Sequence, residues 1–218
     1  MQSSSSPVAS AQIAVHPRLP IMLDRHFATE WRQPPHAPTL QVFERLCALL
    51  GGDASMLVLD SGCGTGDSTL ALAERFPGHR VIGIDQSAVR LQRLARDGIA
   101  THRNAILLRA ELASFWCLFV AAGWKADRHF LLYPNPWPKA AHLARRWQGH
   151  PVFPMLMRTS PHFELRSNWR VYVDEFALAL RRAGHEDVTI AAVDAAVPLT
   201  PFERKYRDSG HALWRVAV

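Results

Sequence analysis

The sequence predicts a doubly wound α/β fold, with a seven-stranded, mostly parallel sheet that ends in an antiparallel hairpin. Three observations lead to this prediction. Strand-like apolar runs alternate with helix-like stretches over most of the 218 residues. A glycine-rich run follows the first strand and opens a helix. Polar residues also stand at the ends of the first five strands, where open α/β sheets bind their ligands.

The composition narrows the class of protein. Hydrophobic residues make up 48% of the chain, which is enough for the core of one large domain, and the net charge of +6 favours a polyanionic partner. The 3 cysteines form no C-x-x-C and the 11 histidines show no ligand spacing, so we expect neither a disulfide framework nor a metal site. The sequence contains no long apolar run and no secretory signal, which predicts a cytoplasmic protein with no membrane span.

The beginning of the chain differs from the rest. Residues 1–38 are predicted to be a flexible tail and an irregular arm, because they are rich first in serine and then in proline, histidine and arginine. Residues 39–218 are predicted to form the folded domain. Thr39 is expected to cap its first helix, Leu40–Leu50, which two glycines end.

Seven segments are predicted to be strands because they are short, apolar and bounded by turn residues. They are Met56–Asp60, Arg80–Asp85, Ala105–Arg109, His129–Tyr133, Phe163–Ser167, Asp187–Val193 and Gly210–Val218. The helices predicted between and after the first five are Ser68–Phe76, Ser87–Asp97, Glu111–Ala122, Pro151–Met157 and Trp169–Arg182. No helix of ordinary length is expected between the last two strands, so they are predicted to pair as a hairpin.

The loop after the first strand has the form D-x-G-x-G-x-G, from Asp60 through Gly62 and Gly64 to Gly66. Glycines let a backbone turn tightly and approach a ligand closely, although three glycines can also form a plain turn. A dinucleotide loop would carry a third glycine or alanine where Asp67 stands, and an acid there would repel pyrophosphate. The pattern resembles the first motif of class I S-adenosylmethionine (SAM) methyltransferases, whose cofactor carries no phosphate. Their Rossmann-like sheet likewise ends in a hairpin.

Three carboxylates stand at or just past strand ends. Asp85 ends the second strand, where it can accept hydrogen bonds from both ribose hydroxyls or can cap a helix that begins near Ser87. Glu111 follows the third strand and either bonds the adenine amino group or is a first-turn carboxylate favoured by the helix dipole. Asp60 is expected to orient the methionine amine through the loop.

The segment Tyr133–Lys139, Y-P-N-P-W-P-K, contains three prolines in five residues at a strand end. Proline fixes φ, so the segment is predicted to form a rigid shelf that carries Asn135 and Trp137. Such a shelf suits a planar ligand, although a tryptophan is also common in a core. The basic residues that follow can hold a phosphate backbone or can form a solvated helix face; they are Lys139, His142, Arg145 and Arg146.

Three motifs, in register with the glycine loop, resemble those of bacterial tRNA (guanine-N7)-methyltransferases. That family carries F-P-D-P-W-x-K-x-R-H-x-K-R-R, then T-D-W-x-x-Y on the next strand and helix, and T-x-F-E before the last strand. The corresponding segments here are Tyr133–Arg146, Ser167–Tyr172 and Thr200–Glu203. The resemblance extends from about Met56 to the C-terminus, whereas residues 1–50 match poorly.

The resemblance implies a SAM-dependent enzyme that methylates guanine N7 in tRNA, at variable-loop position 46 in that family. The cofactor-binding residues expected here are Asp60, Gly62, Gly64, Gly66, Asp85, Glu111 and Asn135. Asn135 also falls on the position that is proposed as catalytic in the family. The substrate-binding residues expected here are Lys139, Arg145, Arg146, Asn168, Thr200, Phe202 and Glu203.

Four of the sequence's departures from these motifs bear on charge. Two family aspartates are Asn135 and Asn168 here, and two basic positions are Ala141 and Ala144. Guanine N7 carries a bare lone pair, so in-line displacement needs no general base and the protein's task is orientation. An amide still accepts one hydrogen bond but loses the charge-assisted one, worth roughly 1–3 kcal/mol, so each asparagine would slow the step by about 10-fold or more.

Three functions stay open from the sequence. The first is methylation of tRNA guanine N7. The second is methylation of another RNA or of a small guanine-like molecule by the same fold, which the asparagines and missing basic residues favour. The third is tRNA binding without catalysis, against which the intact glycine loop and Asp85 argue. The sequence does not determine the oligomeric state, and a monomer is the default expectation.

Overall fold

The computed structural model describes residues 5–91, 98–194 and 196–218, which divide into two compact units. We call residues 32–130 with 158–162 the glycine-loop unit, and residues 5–31, 131–157 and 163–218 the arm unit. The helices of the described residues are α1 Leu19–Phe27, α2 Ala37–Leu50, α3 Asp67–Arg75, α4 Leu112–Ala121, α5 Phe153–Met157, α6 Arg170–Arg182 and α7 Pro201–Asp208. The strands are β1 Leu57–Ser61, β2 Arg80–Asp85, β3 Ile99–His102, β4 Ala105–Arg109, β5 Arg128–Leu132, β6 Phe163–Ser167, β7 Thr189–Ala192 and β8 Trp214–Ala217.

The glycine-loop unit is built on a mainly parallel sheet. Its strands lie in the order β3-β4-β2-β1 with the first three residues of β5, Arg128–Phe130, beside β1; β3 is antiparallel to β4 and the other pairs are parallel. All five residues of β1 are buried, as expected for a parallel strand covered on both faces. The carboxyl ends of β1, β2 and β4 therefore point to one edge, where α3 and α4 begin.

The arm unit combines an antiparallel sheet with helices. Its strands β6, β8 and β7 pair in that order, and both pairs are antiparallel. Helix α6 supplies much of the core, because Tyr172, Phe176 and Leu180 on one face are fully buried. Helix α1 buries Leu19 and Leu23 completely and packs against α6.

The α/β fold class and the order of the main elements are confirmed. Arg80–Asp85, Ala105–Arg109 and Phe163–Ser167 have the predicted bounds, and the other four strands agree within a few residues. The last two strands do pair antiparallel. The described residues contain eight strands instead of seven, because the short edge strand β3 was not recognised.

Three helix predictions are wrong. Thr39 lies inside α2, whose N-cap is His36, since Pro38 in the first turn allows the helix to start earlier. The arm was expected to be irregular, but it contains α1, and Pro20 is compatible with its position in the first turn of that helix. No helix was expected between the last two strands, but α7 separates β7 from β8. The sequence does contain a signal for this helix, the capping box T-x-x-E that begins at Thr200.

The predicted helix Ser87–Asp97 is described only in part. Residues 92–97 lie outside the described residues, and Leu91 N–H donates to the Ser87 carbonyl in a single turn.

Candidate active site

The glycine loop joins β1 to α3 in the glycine-loop unit. Gly62, Gly64 and Gly66 have φ angles of 80°, 61° and 87°, a region that side chains disfavour. The N–H groups of Gly62 and Cys63 donate to the Ile84 carbonyl at 2.7 and 3.0 Å, which fixes the loop to the end of β2. A Cβ on Gly66 would also lie 2.9 Å from the side chain of Leu107, so only glycine fits there without adjustment.

Asp60 is buried at the end of β1. Its Oδ2 accepts hydrogen bonds from Ser68 Oγ at 2.6 Å and Thr69 Oγ1 at 2.7 Å, at the start of α3. Burial raises the pKa of Asp60 to about 6. No partner of Oδ1 lies among the described residues. Asp60 therefore holds the loop between strand and helix, and its predicted action on the methionine amine stays a prediction.

Asp85 holds the other side of the loop. Its Oδ2 accepts from Gly64 N–H at 3.0 Å and its Oδ1 accepts from Ser87 N–H at 2.8 Å. The exposed guanidinium of Arg90 lies 3.6 Å from Oδ2. The hydrogen bond from Ser87 is of the kind that the helix-capping alternative requires. A carboxylate has further lone pairs, so ribose binding by Asp85 stays a prediction.

Glu111 is the N-cap of α4. Its two oxygens accept from Ala113 N–H at 2.9 Å and Ser114 N–H at 2.7 Å, which is the helix-capping alternative. Glu111 also lines a cavity of about 590 Å³ beside the ends of β2 and β4, together with Gln86 and Ala110. Contact between Glu111 and adenine stays a prediction.

These residues fit the SAM cofactor. The loop at Gly62–Gly66 leaves its backbone open, because a Cβ on Gly62 or Gly64 would meet nothing within 4 Å. The cavity beside Gln86 and Glu111 has the size of a small-molecule site. Among the described residues, no group of three histidine, cysteine or acidic side chains is placed to hold a metal ion.

The proline-rich shelf lies in the arm unit and is strained. Tyr133 and Trp137 have φ angles of 55° and 44°, which non-glycine residues rarely adopt. Asn135 is exposed between them, and its Oδ1 accepts from Trp137 N–H at 3.3 Å. Strain of this kind persists only where the surroundings impose it, and it is frequent at ligand sites.

Arg146 holds the end of the shelf at Trp137 and Lys139. Its Nε and Nη2 donate to the Trp137 carbonyl at 3.3 and 3.1 Å, and its Nη1 donates to both oxygens of Glu175 at 2.8 and 2.7 Å. Nη2 also donates to Gln12 Oε1 at 3.0 Å and to the Lys139 carbonyl at 3.4 Å. The side chain is fully buried and its donors are used internally.

The prediction that Arg146 binds substrate is therefore corrected. A guanidinium with no exposed surface cannot reach a phosphate, so Arg146 is a positioning residue that supports Trp137 and Lys139. Its neighbours Arg145 and Lys139 are exposed, and the guanidinium of Arg145 lies 4.8 Å from the centre of the Trp137 ring. Those two cations keep their predicted role toward tRNA.

The T-P-F-E motif forms the start of α7. Thr200 caps the helix by accepting from Glu203 N–H at 2.9 Å. Glu203 is fully buried and pairs with Arg166 at 2.8 Å, while burial raises its pKa. The prediction that Glu203 contacts the substrate directly is therefore corrected. Its carboxylate is buried and paired with Arg166, so Glu203 supports the start of α7. Phe202 is 46% exposed and remains a candidate contact.

Asn168 lies in a polar chain that the sequence did not indicate. Its Nδ2 lies 3.2 Å from His211 Nδ1, and His211 Nε2 lies 2.9 Å from the Ser5 carbonyl. Because a carbonyl only accepts, Nε2 carries the proton and Nδ1 accepts from Asn168. The Oδ1 of Asn168 is then the atom that can accept from a ligand.

Sequence reasoning missed the residues that support the shelf. Gln12, Glu175, Arg166 and His211 each contact a predicted site residue, yet each comes from a distant part of the chain. Only α7 carried a local signal, in its capping box.

Comparison with known proteins identifies relatives of the whole domain. The model of the family described as "Putative methyltransferase" matches residues 54–216. A tRNA (guanine-N(7)-)-methyltransferase of Leifsonia xyli is 30% identical over 182 residues, which cover 78% of each chain. The enzyme of the same name from Saccharophagus degradans is 29% identical over 179 residues, covering 78% of this chain and 77% of its own.

Solved structures agree on the fold. An antibiotic-related methyltransferase matches with a TM-score of 0.56 at 16% identity, over 86% of this chain and 96% of its own. The 16S rRNA methyltransferase KamB matches with a TM-score of 0.54 at 16% identity, over 80% and 90%. At this identity the likeness supports the architecture alone.

Proposed function

The chain belongs to the tRNA (guanine-N7)-methyltransferase family, and from this premise we propose that it methylates N7 of a guanine in tRNA. The matches to the enzymes of Leifsonia xyli and Saccharophagus degradans cover 78% and 77% of those two proteins. The observation that most supports the proposal is the strained shelf at Tyr133–Trp137, which presents Asn135 and is held by buried Arg146.

S-adenosylmethionine, when bound, supplies an electrophilic methyl group on a sulfonium. The glycine loop, Asp85 and the cavity at Glu111 are the groups of this chain that would hold it. Because the N7 lone pair is free at neutral pH, no side chain has to remove a proton. The protein contributes by orienting the guanine and by holding the shelf rigid, which lowers the entropy cost of reaction.

Asn135 and Asn168 are the residues that we assign to the guanine. Each amide oxygen can accept from guanine N1–H or from the 2-amino group, and Asn168 is oriented for this by donating its N–H to His211. The exposed ring of Phe202 adds a surface on which a base can stack. The exposed cations Lys139 and Arg145 bind neighbouring phosphates.

The finer assignments belong to the same proposal. We assign the methylated base to variable-loop position 46, the protein to the cytoplasm, and the working form to a monomer. None of the described helices is long and apolar enough to cross a bilayer.

The test is transfer of labelled methyl from SAM to an unmodified tRNA transcript, followed by nuclease digestion and mass identification of the nucleoside. We expect N7-methylguanosine, and no product on a transcript whose guanine 46 is replaced by adenine. Product on that altered transcript would overturn the position. No product on either, from protein that binds SAM, would move the activity to another acceptor; protein that does not bind SAM would leave a tRNA-binding homologue.

A matched pair of variants tests the cofactor assignment. Asp85→Ala should weaken SAM binding by about 10-fold or more, because charge-assisted hydrogen bonds are worth roughly 1.5–3 kcal/mol. Asp53→Ala removes an exposed acid of the same unit and should leave SAM affinity unchanged. Equal affinities for the two variants, measured by calorimetry, would remove Asp85 from the cofactor site.

A further inference from the structure

The arm unit contains a groove between α1 and the 3₁₀ segment Ala140–Arg145, with a volume of about 360 Å³. Two arginines of the arm, Arg18 and Arg25, line one side of this groove. The other side is formed by Ala140, Ala141 and Ala144. Ala141 and Ala144 are the positions at which relatives with the resembled motif carry cations.

The periodicity of each segment explains this arrangement. Arg18 is the N-cap of α1 and Arg25 follows seven residues later, so both lie on the face opposite buried Leu19 and Leu23. In a 3₁₀ helix, residues i and i+3 share a face. Ala141 and Ala144 therefore face the groove together.

The other face of the 3₁₀ segment points to the shelf. His142 and Arg145 share it, and both contact the ring of Trp137, at 5.6 Å between ring centres and 4.8 Å from the guanidinium. Arg145 therefore lies on the side of the 3₁₀ segment that faces the shelf, and the arginines of α1 lie on its other side. The alanines leave space that long basic side chains at 141 and 144 would fill.

Both arginines are free to bind an anion. Arg18 and Arg25 are exposed, and within the described residues neither guanidinium has an ion-pair partner. The neighbouring Asp24 pairs instead with Arg182 at 2.7 Å. No acidic side chain lines the groove, so its charge is positive.

Helix α1 is held in place by contacts at several points. His26 Nε2 lies 3.1 Å from the Gly149 carbonyl, just after the 3₁₀ segment. Before the helix, Ser10 Oγ donates to the Pro138 carbonyl at 2.6 Å, and Gln12 Nε2 donates to Glu175 at 2.7 Å. The arginines are therefore preorganised beside the shelf, which reduces the ordering cost of binding.

We propose that Arg18 and Arg25 form a phosphate-binding groove for the tRNA backbone, and that these arginines take the place of the cations missing at Ala141 and Ala144. This inference rests on the proposed function, because the partner is the tRNA substrate. An RNA strand is the occupant that the charge selects, since two exposed guanidiniums line a groove that contains no acidic side chain, and the neighbouring Asp24 is paired with Arg182. The apolar side chains of Ile21 and Met22 in the groove offer contact to sugars.

The test compares full-length proteins in tRNA binding over a range of salt concentrations. Arg18→Gln with Arg25→Gln should lower tRNA affinity by about 10-fold at physiological salt and reduce the slope of log affinity against log salt by about 1–2. Arg75→Gln with Lys125→Gln removes the same charge from exposed positions of the glycine-loop unit and should leave the slope unchanged. Equal effects of the two double variants would overturn the groove.

A restoring variant makes the test specific. Adding Ala141→Arg and Ala144→Arg to the Arg18→Gln, Arg25→Gln protein returns cations to the other wall, and we expect most of the lost affinity to return. No recovery, from protein that still binds SAM, would contradict the replacement of one set of cations by the other.

Methyl transfer by the wild-type protein separates this inference from the proposed function. If the wild-type protein forms methylated tRNA and the Arg18→Gln, Arg25→Gln variant keeps the salt dependence of tRNA binding, the groove assignment is wrong and the proposed function stands. No wild-type product and no tRNA binding overturn both. Tight binding of an acidic polypeptide that competes at the groove, in protein whose tRNA affinity is insensitive to both arginines, would assign the groove to a protein partner.

Discussion

The two units hold their acidic side chains in opposite ways. In the glycine-loop unit, Asp60, Asp85 and Glu111 accept hydrogen bonds from neutral hydroxyl and backbone N–H groups, and Arg90, at 3.6 Å from Asp85, is exposed. In the arm unit, Glu175 and Glu203 are fully buried against arginines. Acids held by neutral donors keep their charge available to a ligand, whereas acids held by arginines are neutralised and act as supports.

This difference indicates what each unit does. A cofactor with a cationic sulfonium and ribose hydroxyls needs carboxylates and backbone groups that are already in place. A guanine on a strained shelf needs the shelf to be rigid, and the buried pair of Arg146 and Glu175 provides that rigidity. The carboxylates of the glycine-loop unit can therefore interact with a ligand, whereas those of the arm unit are paired with arginines and stabilise the fold.

The largest expected effect comes from breaking the buried ion pair. Glu175→Gln leaves the charge of Arg146 buried with only partial compensation, which typically costs about 3–5 kcal/mol of unfolding free energy. The equivalent change in the other unit, Glu111→Gln, removes a helix cap and should cost about 1 kcal/mol. Urea unfolding of both variants measures the two losses.

Methyl transfer adds a second readout to this pair of variants. Below the unfolding transition, Glu175→Gln should lower the rate because the carbonyl of Trp137 is less firmly held. Similar stability losses for Glu175→Gln and Glu111→Gln would mean that the two units do not differ in the way their contacts suggest.

The next effect depends on pH. The pKa of Asp60 is raised by burial from 3.8 to about 6, so the folded state binds this proton more tightly than the unfolded state. Stability from this group is fully present below about pH 4 and is lost as pH rises through about 6, to a total of about 3 kcal/mol. The Asp60→Asn variant has no such proton to lose. The free energy of unfolding of the variant minus that of the wild type should therefore rise between about pH 4 and 6 and then stay constant.

Thermal unfolding at several pH values measures this difference. Any fixed cost of burying the new amide is the same at every pH and cancels from the trend. Asp53 is the matched control, because hydrogen bonds from Ser55 lower the pKa of its exposed carboxyl. Asp53→Asn should therefore give a small trend of the opposite sign. A flat difference for Asp60→Asn would show that this carboxyl is not penalised by burial.

The smallest expected effect is on the shelf itself. Asn135→Asp restores a carboxylate at the position where relatives with the resembled motif have one, and a charge-assisted hydrogen bond to guanine should raise the rate of methyl transfer by about 10-fold. SAM binding, measured on the same protein, separates an effect on the guanine from an effect on the cofactor. An unchanged or lower rate, in protein with normal SAM affinity, would show that Asn135 does not contact the guanine.

The glycine-loop unit could be predicted from the sequence because its contacts are local. Gly64 donates to Asp85 across 21 residues of one strand-helix-strand repeat, and the caps lie within three residues of their carboxylates. Strand periodicity and turn chemistry contain that information. The sequence did not predict β3, a four-residue strand at the edge.

The arm unit was less predictable because its contacts are distant. Arg145 and Arg146 are neighbours in a basic run, yet one is exposed and the other is fully buried. The partners of Arg146 lie 29 residues away, at Glu175, and 134 residues away, at Gln12. No local pattern distinguishes the two arginines, since burial is decided by packing against α6 and the arm.

The arm also determines how the protein should be prepared. Gln12 lies within hydrogen-bond distance of both members of the buried ion pair, and Ser10 holds the carbonyl of Pro138. An expression clone that starts at the internal methionine Met22 would omit both residues together with Arg18. Such a shortened protein would keep its glycine loop but lose two supports of the shelf, so the arm belongs in any expressed form of this protein.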